Sequence, residues 1–296
     1  MGAVMSYLMD EIASQPECWS RAIETAPSAD LALPRPGERV AAVGCGSSLN
    51  VARCYAALRE AAGQGETDAF PASEVLPTRR YDRVVFISRT GTTTEVLDAL
   101  RRTGPGTRTV AVTADPGAPL AREAGRVVVL DFADERSVVS SRFITSAIVL
   151  LRAHLGADVR GLPGAATREL ARPLPPGLAE RTEFTFLGRG WAAAVADEAA
   201  LKLREASRTW AESYPALEFR HGPISVSDEN TVVWALGEVP ASLLADAGHT
   251  GATVIASTAD PLAGLIGAQR LAAVLAGRKG IDPDRPRALT RSVILA

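Results

Sequence analysis

The sequence predicts an α/β protein in which parallel sheets are covered by helices on both faces. Apolar runs of five or six residues alternate with longer segments of helical periodicity, and several runs lead into a turn rich in glycine or hydroxyl residues. Such runs, without polar alternation, are typical of strands buried on both faces. The same pattern restarts in the second half of the chain, which predicts two related domains of three layers each.

Composition limits the classes of function. The chain has 296 residues, 47% hydrophobic and 22% charged, with a formal net charge of −2. A sizeable core is therefore expected, and we expect no nucleic-acid partner because there is no basic excess. The three cysteines, Cys18, Cys45 and Cys54, have no CxxC spacing, which argues against a disulfide framework or a zinc site.

The N-terminal stretch does not resemble a targeting segment. Asp10 and Glu11 interrupt its apolar pattern, and no basic region precedes it. No stretch of the sequence approaches the roughly 20 uninterrupted apolar residues of a membrane span. We therefore expect a cytoplasmic protein without a membrane partner.

The elements of the first half follow in order. Met5–Thr25 has helical spacing of its apolar residues, and a polar, proline-rich connector follows it. We predict a first domain over residues 39–158, after an N-terminal helix and connector at 1–38. Its elements are strands at 39–43, 83–87, 107–112 and 126–130, helices after the first two strands, and a long helix at 138–155.

The second half repeats the beginning of the first. Residues 159–180 are rich in glycine and proline and are predicted to be a linker, and a second domain is predicted over 181–296. FTFLGRGWAAA at 184–194 has the order of VAAVGCGSSLN at 40–50, namely a strand, a G-x-G turn and a helix. Strands at 231–236 and 253–257 and a helix over PLAGLIGAQRLAAVLAG are predicted after it.

Two turns of the first domain favour an anionic ligand. Ligands of open parallel sheets bind beyond the carboxyl ends of the strands, where both Gly44–Ser48 and Ser88–Thr94 are expected. A helix start with many hydroxyl groups offers unpaired N–H donors and a positive dipole end to a phosphate. The alternatives are that these Ser and Thr residues are ordinary N-caps and that Arg89 is a solvated surface arginine.

The second domain carries the candidates for proton transfer. Glu198, Lys202 and Glu205 fall on one face of a largely apolar helix, and His221 follows in EFRHGP. A carboxylate and an imidazole are suited to moving protons near neutral pH. The alternative is a solvated helix face with i,i+4 ion pairs.

These motifs resemble the tandem SIS (sugar isomerase) domain family, whose domains have a flavodoxin-like three-layer α/β/α fold. The resemblance covers residue 39 to the end, in order and spacing. The motifs resemble those of the isomerase portion of glucosamine-6-phosphate synthase and of stand-alone sugar-phosphate deaminases and isomerases. The matching segments are GCGSS (44–48), SRTGTT (88–93), ALKLRE (200–205), EFRHGP (218–223) and the tail QRLAAVLAGRKGIDPDRP (269–286).

The resemblance implies roles for particular residues. Glu205 takes the position of the base that moves a proton between C1 and C2 of the sugar, Lys202 that of its helper, and His221 that of the ring-opening residue. The family supplies that histidine from the neighbouring subunit, which implies a homodimer. No metal or cofactor is implied. The positions for phosphate and sugar binding fall on Cys45, Gly46, Ser47, Ser48, Ser88, Arg89, Thr90, Thr93, Val138 and Arg291.

Departures from the family pattern bear on the reaction. Arg89 and Thr90 replace a glutamine and a serine, and Arg291 replaces a lysine that reaches the sugar. Arginine cannot donate a proton or form an imine at neutral pH, which puts a lysine-dependent step in doubt. Because the stretch before residue 39 is short, we do not expect the synthase's glutaminase domain in this chain.

We therefore expect aldose–ketose isomerisation of a hexose 6-phosphate, with deamination of an amino-sugar phosphate such as glucosamine 6-phosphate. The alternatives are a non-catalytic sugar-phosphate-binding regulator, a plain isomerase of a non-amino sugar phosphate, and a deglycase acting on a sugar–amine conjugate.

Overall fold

The computed structural model describes residues 6–75, 78–257 and 259–295, which form two units, each built around a parallel sheet. The first unit comprises Glu17–Glu135, Arg142–Gly161 and the C-terminal residues from Thr290 onward. The second comprises the residues up to Pro16, Arg136–Ser141 and Leu162–Leu289. Helices lie on both faces of each sheet, so the predicted three-layer α/β/α fold is confirmed.

The first sheet has the strand order β2-β1-β3-β4-β5, with all neighbours parallel. The strands are β1 (Val40–Gly44), β2 (Thr67–Pro71), β3 (Arg83–Ile87), β4 (Arg108–Thr113) and β5 (Arg126–Val129). The helices of this part are α2 (Gln15–Ala29), α3 (Ser47–Ala61), α4 (Thr94–Arg101), α5 (Pro119–Glu123) and α6 (Arg142–His154). Residues of α4 and α5 pack on Val84 and Phe86 on one face, while α3 packs against β1, β2 and α6.

The second sheet repeats this order as β7-β6-β8-β9, again parallel. Its strands are β6 (Glu183–Gly188), β7 (Trp210–Pro215), β8 (Thr231–Leu236) and β9 (Thr253–Ser257). The helices of this unit are α1 (Tyr7–Ala13), α7 (Leu162–Ala171), α8 (Trp191–Ser207), α9 (Ala241–His249) and α10 (Pro261–Arg278). Short 3₁₀ helices over Ala216–His221 and Pro223–Val226 follow β7.

The predicted strands are found within one or two residues, and the predicted helices differ more. The helix predicted from Met5, which lies outside the described residues, is divided into α1 and α2 at Ser14. Pro16 explains the division, because proline has no N–H for a helical hydrogen bond and its ring clashes with the preceding turn. The helix predicted from 138 begins at Arg142, and the predicted linker contains α7, which packs on α10.

The edge strands β2 and β7 were not predicted. Their residues are mostly half-buried, and neither segment forms an apolar run. An edge strand of a covered sheet has one strand neighbour, so its sequence need not be continuously apolar. Among the described residues, no helix is both long enough and apolar enough to cross a membrane.

Candidate functional site

The turn after β1 depends on two glycines. A Cβ on Gly44 would lie 2.5 Å from the carbonyl carbon of Ser48, so only glycine allows the strand end to approach the first turn of α3 this closely. Gly46, at φ +53°, occupies the N-cap position of α3. This backbone places Ser47 and Ser48 in the first turn of the helix, beyond the carboxyl end of β1. Burial raises the pKa of the adjacent Cys45 thiol, assisted by Glu95, although a backbone hydrogen bond from Ala72 opposes the change.

The turn after β3 is ordered by its own hydroxyl groups. Ser88 Oγ accepts a hydrogen bond from the Gly91 N–H at 3.2 Å, and the Thr92 hydroxyl donates to Thr90 Oγ1 at 3.0 Å. Gly91 has φ +61°, and α4 begins at Thr94 with Thr93 as its N-cap. Because β1 and β3 are adjacent, both hydroxyl-bearing turns lie at the topological switch point of the first sheet, where open α/β sheets bind ligands.

Residues of the C-terminal segment lie on the amino end of α4. The Thr94 N–H donates to the Val293 carbonyl at 3.1 Å, and the Leu295 N–H donates to Thr94 Oγ1 at 3.0 Å. The Ser292 hydroxyl lies 2.9 Å from Thr92 Oγ1 and 3.3 Å from Thr93 Oγ1. An anion bound by these donors would have to replace or share these contacts.

Arg89 is not a solvated surface residue. It is buried, and its guanidinium pairs with the fully buried Glu135 at 3.0 Å. The other oxygen of Glu135 accepts the Arg142 N–H at 2.7 Å, and Arg89 also donates to the Arg291 carbonyl at 3.4 Å. Arg89 therefore connects the turn after β3 to the start of α6 and to the C-terminal segment.

The side chain of Arg291 is held by Asp134, and both groups are about half exposed. Arg291 thus lies in the first unit, one residue before Ser292 and two residues before Val293, whose carbonyl accepts the Thr94 N–H. Arg291 stands at the position where the resemblance implies a lysine.

In the second unit, the turn after β6 repeats the backbone of the turn after β1. A Cβ on Gly188 would lie 2.1 Å from the Ala192 carbonyl oxygen, and Gly190 has φ +54° and ψ −129°, against +53° and −125° for Gly46. This agrees with the repeat seen in the sequence. Arg189 and Trp191 occupy this turn, which therefore lacks the hydroxyl groups that Ser47 and Ser48 supply after β1.

Helix α8 carries a buried group of charges. Lys202 Nζ lies 3.2 Å from Glu198 Oε1 and 2.6 Å from Glu205 Oε2. Lys202 and Glu198 are each only 1% exposed, whereas Glu205 is 19% exposed. The alternative of a solvated helix face is therefore wrong for these residues. Burial alone would lower the pKa of Lys202, but the two carboxylates outweigh burial and raise it, so Lys202 is a cation at neutral pH.

Glu205 is the member of this group that reaches open space. It lines a cavity of about 320 Å³ together with Arg204, Arg208, Arg287 and Leu289. Ala288, on the same wall, has φ +61°, an uncommon conformation for a residue with a side chain. A carboxylate backed by a buried cation and open on one side can exchange a proton with a ligand.

Val138 lies in a loop, not in the predicted helix. Its N–H donates to the Asp284 carbonyl at 3.2 Å, and the buried Glu11 accepts hydrogen bonds from the N–H groups of Arg136 and Ser137. Residues 136–141 are thus held by the N-terminal and C-terminal parts of the second unit. Sequence reasoning did not identify Glu11 or Asp284, because partners more than 100 positions away leave no local pattern.

His221 ends the 3₁₀ helix over Ala216–His221 and is exposed. Gly222, at φ +134°, turns the chain after it, in agreement with the predicted turn. Lys202 and Glu205 are in direct contact, whereas no hydrogen bond or ion pair joins His221 to either of them among the described residues.

Comparison with known proteins is consistent with these features. A family model described as SIS domain matches residues 177–242. The glutamine–fructose-6-phosphate aminotransferase (isomerizing) of Pyrobaculum aerophilum is 28% identical over 99% of this chain and 58% of its own length. The chain therefore spans less than two thirds of that relative.

Two solved structures match nearly the whole chain. Glucosamine-6-phosphate deaminase from Thermotoga maritima has a TM-score of 0.80 and 27% identity, covering 98% of this chain and 100% of that one. Tagatose-6-phosphate ketose/aldose isomerase from Escherichia coli has a TM-score of 0.81 and 18% identity, covering 99% and 97%, and at this identity it supports the fold alone.

Proposed function

Since the chain belongs to the SIS domain family, we propose that it is an enzyme that converts a hexose 6-phosphate by aldose–ketose proton transfer. The observation that carries the proposal is the group on α8. Lys202 is buried and cationic, and it lies 2.6 Å from Glu205, whose carboxylate opens on a cavity. The similarity to an aminotransferase described as isomerizing and to a deaminase supports the same class of reaction.

Each residue has a defined part in the proposed reaction. Ser47, Ser48, Ser88, Thr90 and Thr93 bind the phosphate through hydroxyl and N–H donors. Glu205 removes the proton from C2 of the open-chain sugar and returns it at C1. Lys202 stabilises the negative charge that develops on the substrate between these steps. His221 assists ring opening, and Val138 and Arg291 position the sugar.

We propose an amino-sugar phosphate, such as glucosamine 6-phosphate, as the substrate. Proton transfer from C2 to C1 of its open-chain form converts the C2 amine into a ketimine. Water then adds to C2, and the C–N bond breaks to give ammonia and the ketose phosphate. The match of 27% identity to a glucosamine-6-phosphate deaminase over its whole length supports this direction.

The first experiment compares Glu205→Gln with Glu180→Gln. Glu180 is an exposed carboxylate of the same unit, so its substitution is a matched control. We expect Glu205→Gln to lower kcat by about 10²–10⁴-fold while binding of the sugar phosphate changes little. Ammonia release and ketose formation from glucosamine 6-phosphate are the assays. Equal activity of the two variants would exclude Glu205 as the base.

The same assays separate the alternatives. Ketose formation from a neutral aldose phosphate without ammonia release from glucosamine 6-phosphate would indicate a plain isomerase. Release of an amine from a fructose–amino acid phosphate, but not from glucosamine 6-phosphate, would indicate a deglycase. Binding of sugar phosphates without any turnover by the unmodified protein would indicate a regulator and would refute the proposed activity.

We further propose a homodimer in which His221 serves the neighbouring subunit. The exposure of His221, without a partner for its ring among the described residues, supports this arrangement. Subunits carrying Glu205→Gln and subunits carrying His221→Asn should each be inactive alone. Mixed by co-expression, they should recover about a quarter of the activity, since half of the dimers would be mixed and each would have one intact site. No recovery in purified mixed dimers would contradict a shared site.

A further inference from the structure

A cluster of arginines lies at the amino ends of the strands of the first sheet, whereas the hydroxyl-bearing turns follow the carboxyl ends. Arg83, Arg108 and Arg126 are the first residues of β3, β4 and β5, so they lie at the amino ends of the strands. Together with Arg35 they line a cavity of about 360 Å³. The proposed reaction uses none of these residues.

The register of the sheet explains why these side chains meet. Arg83 is paired with Arg108 across β3 and β4, and Arg126 is paired with Val110, two residues after Arg108. Paired residues of parallel strands point to the same face, and so do residues two positions apart on one strand. The side chains of these three arginines therefore lie on the same face of the sheet, on neighbouring strands.

One carboxylate, Glu38, is paired with this cluster, and its hydrogen-bonding capacity is used. It accepts two hydrogen bonds from Arg83, at 2.9 and 3.1 Å, and contacts Arg108 at 3.0 Å. It also accepts the Arg35 N–H at 3.0 Å. Two carboxylate oxygens offer about four acceptor sites, so little remains for the side chains of Arg35 and Arg126.

The charge of Glu38 is not lost by burial. Burial alone would raise its pKa, but hydrogen bonds and charges from Arg83, Arg35 and Arg108 outweigh burial and hold the pKa of Glu38 below its ordinary value. The carboxylate therefore cancels one of the arginine charges at neutral pH. Like charges on neighbouring strands repel each other, and a bound anion would relieve this repulsion.

We propose that this cavity binds a small organic diphosphate ester. Guanidinium groups bind phosphate oxygens in pairs, and Arg35, Arg108 and Arg126 are exposed toward the cavity while Arg83 is held in place by Glu38 and the Ala32 carbonyl. The excess positive charge of the four arginines over Glu38 can balance the negative charge of a diphosphate. Leu31, 84% exposed on the cavity wall, offers an apolar surface for the ester group. The volume lies in the range of small-molecule sites.

The experiment measures binding of pyrophosphate and of ADP by calorimetry and by thermal unfolding. The test variant is Arg108→Gln with Arg126→Gln. The control is Arg101→Gln with Arg160→Gln, which removes the same charge from exposed positions of the same unit that pair with Glu123 and Asp158. We expect both ligands to bind the unmodified protein and the control equally. In the test variant their affinity should fall by at least about tenfold.

A third variant, Ser88→Ala with Thr93→Val, distinguishes the cavity from the hydroxyl turns. Its affinity for pyrophosphate and ADP should equal that of the unmodified protein. Loss of binding in this variant with retention in the arginine variant would place the ligand at the hydroxyl turns and overturn the proposal. Absence of pyrophosphate and ADP binding by the unmodified protein at millimolar ligand, or unchanged affinity in the Arg108→Gln with Arg126→Gln variant, would also overturn it. None of these outcomes depends on the sugar-phosphate reaction.

Discussion

Substitution of Lys202 by methionine tests the buried charges of α8 most directly. Lys202 Nζ lies between Glu198 Oε1 at 3.2 Å and Glu205 Oε2 at 2.6 Å, and the side chains of Lys202 and Glu198 are each 1% exposed. Methionine has a similar shape, so it leaves little cavity. The variant therefore removes the cation with little change in packing.

The expected loss follows from which carboxylate can reach water. Glu205, at 19% exposure, can be hydrated after the substitution, whereas Glu198 stays buried and loses its ion pair with Lys202. Removal of one partner of a buried ion pair costs about 3–5 kcal/mol. Protonation of Glu198 would lessen this cost in the folded variant. The folded variant would then bind more protons than the unfolded chain, so its stability should fall as pH rises.

Urea unfolding at pH 5.5 and pH 8.0, followed by tryptophan fluorescence, measures this effect. Trp191, Trp210 and Trp234 belong to the second unit and report on it. We expect a loss of about 3–5 kcal/mol at pH 8.0 and a smaller loss at pH 5.5. The control, Lys202→Met with Glu198→Gln, should recover much of the loss. A loss below about 1 kcal/mol at pH 8.0, or no recovery in the control, would refute the reasoning.

Three further predictions concern other contacts. Gly188→Ala should lower the free energy of unfolding, measured by urea unfolding, by at least about 2 kcal/mol, since its Cβ would lie 2.1 Å from a backbone oxygen. The control Gly277→Ala should not lower it, because, among the described residues, no atom beyond the backbone of its own helix lies within 4 Å of the added Cβ. Arg89→Met should cost about 3–5 kcal/mol in the same assay because it removes one partner of a buried ion pair, and a surface role for Arg89 would predict less than about 1 kcal/mol. Arg291→Lys should retain kcat within about tenfold if the residue acts by its charge, and a larger loss would contradict this. Because arginine does not form an imine, borohydride added with substrate should not label Arg291 of the unmodified protein, and labelling there would contradict the same reasoning.

The central strands were the part of the fold most accessible to sequence reasoning. β1, β3, β6 and β8 are buried on both faces, so each is an apolar run that is visible without any knowledge of its neighbours. The glycine turns after β1 and β6 could also be predicted, because close approach of a strand to the following helix requires glycine locally. The edge strands β2 and β7 were missed and the start of α6 was displaced, because these features depend on tertiary neighbours.

For the candidate site, sequence alone determined which residue types stand at strand ends and on one face of α8. It therefore identified the hydroxyl turns and the spacing of Glu198, Lys202 and Glu205. The tertiary structure decided the environment of each group. It buried Lys202, left Glu205 open to a cavity, and paired Arg89 with Glu135, 46 positions away. It also brought arginines of three strands to one cavity and paired two of them, Arg83 and Arg108, with Glu38. Burial and pairing between distant residues arise only when the strands pack side by side, and no local pattern records them.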